Sequence, residues 1–281
     1  MIVLGFPENV AQSTALAAAL RCDHATIDVH RFPDGESRLR LPPQLPADVV
    51  LFRTLDRPND KLVELLIAAG GARALGARKL TLVAPYLCYM RQDIAFTPGE
   101  PVSQRIVGRI LADAFDAVVT VDPHLHRVAT LAEAVPAKSA IALTAAGLIG
   151  EWLQLRLPPD ALLLGPDEES AQWVSRVAAP GGFAWAVARK QRFGDRDVRV
   201  TLPQLELENR TVMLVDDVIA SGQTLVEAAR LLHAAGAARV EAVATHGLYA
   251  PGAREALAAA RIESVLATDA IPGDSAVIPL A

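Results

Sequence analysis

The chain contains few cysteines, few lysines and no long apolar run. Cys22 and Cys88 are the two cysteines among 281 residues, and no His/Cys cluster accompanies them, which excludes a disulfide scaffold or a zinc finger. No stretch approaches the about 18 apolar residues that a membrane helix needs, and Met1–Phe6 lacks a basic leader segment. We therefore expect a cytoplasmic protein with no membrane segment.

Signatures of nucleic-acid binding and of one class of ATP site are also missing. The net charge is −5, and no basic run with interleaved aromatic residues occurs, so we expect no nucleic-acid partner. The GxxxxGK[ST] pattern is absent, so any ATP is held by something other than a Walker P-loop. The hydrophobic content of 52% is ample for a packed core.

Apolar runs alternate with helical patterns along the chain. This alternation predicts an α/β fold with largely parallel sheets flanked by helices. The predicted strands are Val49–Phe52, Leu80–Ala84, Ala117–Val121, Ala161–Leu164, Ala184–Ala188, Thr211–Val215 and Val240–Ala244.

The helical segments and the breaks between them predict two halves of similar size. A polar, proline-rich break at Arg156–Asp160 lies near the middle, and we place the domains at residues 1–145 and 146–281. The segment Ile271–Ala281 is predicted to be an irregular terminus.

Two amphipathic helix faces are predicted. One is formed by Leu62, Leu65, Leu66 and Ala69, and the other by Ile106, Ile110 and Ala114.

The most informative feature is an acid pair at the end of a predicted strand. Asp216 and Asp217 follow Thr211–Val215 and precede a loop of small residues that leads into a helical pattern. Such a loop can surround a phosphate with backbone N–H groups at a helix N-terminus, while carboxylates suit sugar hydroxyls or a metal ion. The alternative is an acidic turn with an ordinary helix cap. The coincidence of strand, acid pair and loop favours the ligand site.

Further polar segments follow other predicted strands, where open parallel sheets collect their ligands. Arg91 and Gln92 can stack on a purine, pair with phosphate and hydrogen-bond a base edge, although a solvated helix start would look similar. His124 and Asp167 suit a divalent cation, against the alternatives of a structural histidine and an acidic helix start. The turn-rich segment Arg31–Glu36 combines an aromatic residue with two acids and is a further candidate for ligand contact. The alternative is an ordinary exposed turn.

A cationic segment follows the strand Ala184–Ala188. In an extended chain Lys190 and Arg192 would point the same way and could grip a polyphosphate as part of a closing lid. The alternative is a solvated charged loop.

Taken together, these motifs look like the ribose-phosphate pyrophosphokinase family. Phe-x-Asp-Gly-Glu, Arg-Gln-Asp, Asp-x-His, Gly-Pro-Asp, Lys-x-Arg and Asp-Asp occur in the family's order between about Arg31 and about Thr268. The resemblance implies two phosphoribosyltransferase-like domains with the active site between them. It also implies a homodimer or a dimer-based higher oligomer, in which the Phe32 turn reaches a neighbouring subunit's nucleotide.

The resemblance further implies a reaction and a role for each motif. The reaction is transfer of diphosphate from MgATP to the C1 hydroxyl of ribose 5-phosphate, releasing AMP. ATP would be bound by Phe32, Asp34, Gly35, Glu36, Arg91, Gln92 and Asp93, and Mg²⁺ by His124 and Asp167. Lys190 would be the catalytic lysine, and Arg192 would contact substrate phosphates. Ribose 5-phosphate would be bound by Asp216, Asp217, Ala220, Ser221, Gly222, Gln223 and Thr224.

The chain departs from the family's pattern at several positions. Ala220 replaces an acid of the sugar-phosphate loop and supplies only main chain, and Glu168-Glu169-Ser170 replaces a glycine-containing loop. The stretch Leu125–Val128 also differs from the family's pattern. The segment after Asp93 lacks the arginines common there, so the resemblance does not imply allosteric control by phosphate or nucleoside diphosphate. Two other functions stay open: a phosphoribosyltransferase that consumes phosphoribosyl pyrophosphate, and a non-catalytic regulatory homologue.

Overall fold

The computed structural model of the chain describes residues 1–125, 127–192, 198–203 and 205–281. The chain divides into two units, Met1–Leu143 together with Ala281, and Thr144–Leu280. Each unit is a largely parallel sheet flanked by helices, which confirms the predicted α/β class. Each of the seven predicted strands is present, with ends that differ by a few residues.

The first unit is built on one parallel sheet. Its strands are β1 (Ile2–Gly5), β2 (Asp23–Thr26), β3 (Asp28–Arg31), β4 (Ser37–Arg40), β5 (Asp48–Phe52), β6 (Lys79–Val83), β7 (Ala117–Val121) and β8 (Ser139–Leu143). Its helices are α1 (Val10–Leu20), α2 (Pro58–Ala74), α3 (Ser103–Ala114) and α4 (Leu131–Ala134). Six strands pair in the order β2-β1-β5-β6-β7-β8, and β3 and β4 form a separate antiparallel hairpin.

The second unit repeats this plan. Its strands are β9 (Leu162–Gly165), β10 (Ala184–Val187), β11 (Arg189–Arg192), β12 (Val198–Thr201), β13 (Thr211–Ile219), β14 (Arg239–Gly247), β15 (Val265–Thr268) and β16 (Ala276–Ile278). Its helices are α5 (Ala146–Gln154), α6 (Ala171–Ala178), α7 (Gln223–Ala234) and α8 (Ala253–Ala259). The sheet order is β10-β9-β13-β14-β15-β16, with β11 and β12 as an antiparallel hairpin.

Each unit has its own apolar core between sheet and helices. Leu51, Leu82 and Val118 are fully buried in the first core, and Leu164 and Leu214 in the second. These central strands read as continuous apolar runs because parallel sheets are covered on both faces. Among the described residues, no helix is long and apolar enough to cross a bilayer.

Helix α3 buries a different face from the one predicted. Ile106 and Ile110 are 51% and 41% exposed, whereas Val107 and Leu111 are buried. The prediction was wrong because close packing decides the face. A Cβ on Gly108 would lie 1.8 Å from the carbonyl oxygen of Ala134, so the glycine side of the helix lies against the segment that ends α4. By contrast, Leu65 and Ala69 of the predicted α2 face are buried.

The C-terminal segment is not irregular throughout, as the sequence had suggested. Strand β16 pairs with β15 in parallel and completes the edge of the second sheet. Ile278 is fully buried, and the N–H of Leu280 donates to Asp269 Oδ1 at 2.9 Å. The prediction was wrong because a strand of three residues carries too little periodicity to be recognised before its partner is known.

Candidate functional site

The acid pair of the second unit lies within a strand rather than in a loop. Strand β13 continues through Asp216 and Asp217 to Ile219 because its neighbour β14 is equally long, and the pairing includes Asp216 with Ala244 and Ile219 with Gly247. The predicted end at Val215 was therefore too early. The regular ladder gives both carboxylates a rigid backbone.

The negative charges of Asp216 and Asp217 are unfavourable so close together unless a cation or a hydrogen-bond donor binds them. Burial raises the pKa of the Asp216 carboxyl well above its ordinary value, and the nearby charges of Asp217 and Asp167 raise it further. Backbone groups compensate in part: the N–H of Asp217 donates to Asp216 Oδ1 at 3.0 Å, and that of Val218 donates to Asp217 Oδ1 at 2.7 Å. The site therefore favours a ligand that brings positive charge or hydroxyl donors.

The loop after β13 leads directly into a helix N-terminus. Gly222 has φ +71° and is the N-cap residue of α7, and its carbonyl accepts from the N–H of Val226 at 2.9 Å. A Cβ at this position would lie 3.1 Å from Leu257, so glycine meets both the conformational and the steric requirement. Ser221 and Gln223 are exposed. The first N–H groups of α7 and the helix dipole therefore form a cradle suited to a phosphate.

Asp167 follows β9, the strand beside β13, so the carboxyl ends of two adjacent strands bring the acids together. Asp167 Oδ1 accepts from the N–H of Ser170 at 3.2 Å, which caps a short 3-10 turn. Glu168 is exposed, and its Oε1 lies 3.5 Å from Arg189 Nε. The charge of Glu168, one of the departures from the family's pattern, thus has a cationic neighbour that sequence reasoning missed.

The predicted cationic segment is an antiparallel hairpin, not an open loop, as far as it is described. Lys190 pairs with Val200 and Arg192 with Val198 through the backbone of β11 and β12. The side chains of Lys190 and Arg192 lie outside the part of the chain that the structure describes. Their predicted common direction therefore stays a prediction.

In the first unit, the predicted nucleotide turn caps the hairpin β3–β4. The N–H of Phe32 donates to the Glu36 carbonyl at 2.8 Å, and that of Gly35, at φ +93°, donates to the Phe32 carbonyl at 2.9 Å. The N–H of Glu36 donates to Asp34 Oδ1 at 3.1 Å. All residues from 32 to 36 are exposed. The turn thus presents an aromatic ring and two carboxylates on a defined backbone.

Arg91 and Gln92 lie on a long irregular segment between β6 and α3, and α3 begins only at Ser103. Arg91 is exposed, whereas Gln92 is tied to the helix start: its Oε1 accepts from Ser103 Oγ at 2.6 Å, and its carbonyl accepts from the N–H of Gln104. Of these two side chains, Arg91 is therefore the one left accessible to a ligand.

Asp93 differs from its two neighbours because its carboxylate is buried. Arg127 Nη1 donates to Asp93 Oδ1 at 2.7 Å, and no described residue is a hydrogen-bond partner of Oδ2. This placement favours a bracing role over direct contact with a nucleotide. Sequence reasoning missed Arg127, since nothing in the local pattern links two positions so far apart in the chain.

His124 follows β7 and is half-buried. It belongs to the first unit and Asp167 to the second. Among the described residues, no group of three or more His, Cys, Asp or Glu side chains is arranged to hold a metal ion. A magnesium ion does not require such a cage, because it is usually bound by one or two carboxylates together with water and substrate phosphates.

Known proteins share both halves of this chain. The sequence model of one protein family, the N-terminal domain of ribose phosphate pyrophosphokinase, matches residues 1–114. The sequence model of a second family, the phosphoribosyl transferase domain, matches residues 132–268. The chain is 39% identical over 275 residues to a ribose-phosphate pyrophosphokinase of Methanopyrus kandleri, covering 97% of this chain and 93% of the relative. It is 33% identical over 246 residues to a protein of the same name from Thermococcus kodakarensis, covering 88% and 86%.

A solved structure agrees at the level of the fold. The crystal structure of phosphoribosylpyrophosphate synthetase from Mycobacterium smegmatis matches with a TM-score of 0.82 and 24% identity, covering 99% of this chain and 92% of that one. The family models, the relatives and the order of the motifs all indicate the same family along nearly the whole length of the chain. The chain belongs to the ribose-phosphate pyrophosphokinase family.

Proposed function

We propose that this protein transfers diphosphate from MgATP to the C1 hydroxyl of ribose 5-phosphate, giving 5-phosphoribosyl 1-pyrophosphate and AMP. The observation that carries the proposal is the acid pair of β13 beside the Gly222 cradle, in a chain 39% identical to a named ribose-phosphate pyrophosphokinase. Phosphoryl chemistry of this kind depends on positioning and charge neutralisation more than on a covalent nucleophile.

Ribose 5-phosphate binds at the end of β13 in this proposal. The backbone from Ala220 to Thr224 and the start of α7 hold its phosphate, and Ser221 and Thr224 add hydroxyl donors. Asp216 and Asp217 accept from the ribose hydroxyls, which satisfies two carboxylates that repel each other. The sugar is thereby oriented with its C1 hydroxyl fixed for attack.

ATP binds in this proposal through the first units of two neighbouring subunits, one supplying the Phe32 turn and the other Arg91. The Phe32 ring packs against the base, Asp34 and Glu36 accept hydrogen bonds from the nucleotide, and Arg91 pairs with its phosphates. Gln92 and Asp93 act mainly by holding the Arg91 segment, through Ser103 and Arg127 respectively.

The donor chemistry present fits magnesium. Asp167 offers a carboxylate, of which Oδ1 already accepts from the N–H of Ser170, and His124 offers an imidazole on the other unit. Bound with ATP, the ion would neutralise developing phosphate charge. Burial and Asp217 raise the pKa of Asp216, and the charge of Asp167 raises it further, so a cation bound near Asp167 would relieve part of this unfavourable charge.

Lys190 and Arg192 supply the remaining positive charge in this proposal. Placed on the hairpin β11–β12, Lys190 stabilises charge on the transferred diphosphate and Arg192 contacts substrate phosphates. A cytoplasmic location and a dimer-based assembly stay predictions of the sequence.

The test is an assay of the purified protein with MgATP and ribose 5-phosphate. We expect AMP and phosphoribosyl pyrophosphate to form in equal amounts, and only when both substrates and Mg²⁺ are present. AMP formation independent of the sugar phosphate would contradict the proposal, as would consumption of added phosphoribosyl pyrophosphate with a free base but no synthesis.

Replacing Lys190 by Ala should lower kcat by about 10²–10³-fold, the range for loss of one group that stabilises transition-state charge. The matched control is Lys79→Ala, which removes an exposed lysine at the start of β6 and should leave kcat unchanged. AMP release measured by chromatography and the melting temperature of each variant check the result. Near-normal kcat for Lys190→Ala would remove this residue from the catalytic step.

A further inference from the structure

The neck of the hairpin β3–β4 is held by one buried carboxylate, that of Glu64 on helix α2. Arg31 and Ser37 form the last backbone pair before the turn. Arg31 Nε donates to Glu64 Oε1 at 3.0 Å, and Ser37 Oγ donates to the same oxygen at 2.8 Å. One side chain from each strand of the hairpin therefore donates to the same carboxylate oxygen, next to the Phe32–Glu36 turn.

The second oxygen of Glu64 is anchored in the core. Arg53 Nη2 donates to Glu64 Oε2 at 2.6 Å, and Arg53 is only 1% exposed. Its guanidinium lies 3.8 Å from the centre of the Phe6 ring, and its Nε donates to Glu8 Oε1 at 2.8 Å. These contacts leave Glu64 little freedom to move, because shifting it would separate a buried ion pair.

The carboxylate of Glu64 also stays ionised. Burial on its own would raise its pKa, but hydrogen bonds from Arg31, Arg53 and Ser37 outweigh burial and bring the pKa below its ordinary value. The same interaction raises the pKa of the Arg31 guanidinium. The contact at the neck is therefore charge-assisted, the stronger class of hydrogen bond.

The hairpin is a separate two-stranded sheet, not hydrogen-bonded into the six-stranded one, so its position depends on side-chain attachments: Val29 and Leu39 pack against the first core, and the contacts with Glu64 hold the neck. An isolated pair of strands is marginally stable by itself. We infer that Glu64 is a positioning residue for nucleotide binding: gripping Arg31 and Ser37, it fixes the direction in which the exposed turn presents Phe32, Asp34 and Glu36. The inference rests on the proposed function, in which this turn contacts ATP.

The hairpin offers its own matched control. At its far end, Arg40 Nη2 lies 2.9 Å from Asp28 Oδ2, an exposed ion pair on the same two strands. Arg31→Ala should raise both the KM for ATP and the Kd of MgATP by about tenfold, as expected for loss of a charge-assisted hydrogen bond to a buried group. Ser37→Ala should raise them by about threefold. The kcat and the KM for ribose 5-phosphate should change by less than about twofold in both variants, and Arg40→Ala should match the unaltered protein.

Two further measurements separate positioning from other roles. Hydrogen exchange at the amides of Phe32 and Gly35 should be faster in Arg31→Ala than in Arg40→Ala, because the turn loses its fixed base. Arg31→Lys keeps a cation at the neck and should recover ATP affinity to within about threefold of the unaltered protein.

An unchanged KM for ATP in Arg31→Ala, or an equal rise in Arg40→Ala, would overturn the inference. An effect of Arg31→Ala without any effect of Ser37→Ala would overturn it as well, since Arg31 would then act by touching the nucleotide itself. Phe32→Ala separates this result from the proposed function. If Phe32→Ala leaves ATP affinity unchanged, the assignment of the turn to ATP fails. If Phe32→Ala weakens ATP binding but neither neck variant does, only the role of Glu64 fails.

Discussion

At the scale of single residues, the second unit places like charges together at a cost to its own stability. Burial raises the pKa of Asp216, and the charges of the adjacent Asp217 and of Asp167 raise it further. Charge held where it is unfavourable in the free protein is typical of a binding site, because the ligand later relieves the repulsion. Asp116 is the opposite case. Hydrogen bonds from Lys138, the Leu80 N–H and Arg73 lower its pKa despite burial.

Asp216→Asn should stabilise the ligand-free protein while abolishing use of ribose 5-phosphate. Because the pKa of Asp216 is higher in the folded than in the unfolded protein, protonation of this carboxyl stabilises the folded state. This stabilisation is present at about pH 4 and is lost as the pH rises through the folded-state pKa. The melting temperature of Asp216→Asn should therefore exceed that of the unaltered protein increasingly from pH 4 to pH 8, by a few degrees, since about 1 kcal/mol corresponds to about 2–4 °C in a protein of this size.

Asp116→Asn is the control with the opposite sign. Its depressed pKa gives stability that is present above the unfolded pKa and lost in acid, so this variant should melt lower than the unaltered protein at neutral pH. Scanning calorimetry across the pH range checks both. A destabilised Asp216→Asn at neutral pH would contradict the electrostatic account of the site.

Gly222→Ala should lower stability by about 1–2 kcal/mol and weaken binding of ribose 5-phosphate. Its φ of +71° is strained for alanine, and the added Cβ would be 3.1 Å from Leu257. Gly147→Ala is the control: this glycine lies in α5, and an added methyl group would meet no atom within 4 Å, so alanine should be neutral or slightly stabilising there. Urea unfolding and sugar-phosphate titration provide the two readouts, and equal stability of both variants would refute the steric argument.

At the scale of elements, the short edge strand β16 buries more apolar surface than its sequence suggests. Strand β16 has three residues, yet Ile278 within it is fully buried, while its neighbour Val277 is 43% exposed. The alternation follows from the period of two along a strand at the edge of a sheet. In α3 the close approach of Gly108 to the Ala134 carbonyl, rather than the apolar Ile106 and Ile110, decides which face is packed.

Ile278→Ala should destabilise the protein by about 2–4 kcal/mol because it leaves a cavity in a close-packed region. Val277→Ala, one position away on the opposite face, should cost less than about 1 kcal/mol. The comparison is made by urea unfolding at equal protein concentration. Similar losses in the two variants would mean that the terminal segment is not docked as described.

At the scale of the whole molecule, the two units share one topology and differ in chemistry. In both, the second strand of the unit lies at one edge, a separate hairpin follows it in the chain, and the next strand pairs beside the first. The Phe32–Glu36 turn on β3–β4 and the cationic segment on β11–β12 thus occupy the same topological place. Near its carboxyl end β13 carries Asp216 and Asp217 and then leads to Gly222, whereas the corresponding strand β5 leads to Arg53, which is buried against Glu64. At this position the second unit therefore presents acids, and the first unit buries an ion pair of its own.

The sequence by itself determined the class of fold, the seven principal strands and the family. Continuous apolar runs and motif order are local properties, and they need no knowledge of distant partners. It also predicted the acid pair and the loop at Gly222 as a ligand site, because a strand, two acids and a glycine-bearing helix start are adjacent in the chain.

Only the tertiary structure decided what depends on contact between distant segments. The burial of Asp93 against Arg127, the attachment of the hairpin neck to Glu64, the packed face of α3 and the strand β16 all require partners far away in the chain. Each is set by packing or by pairing of buried charge, whose free energies depend on three-dimensional neighbours and leave no periodic signal in the residues themselves.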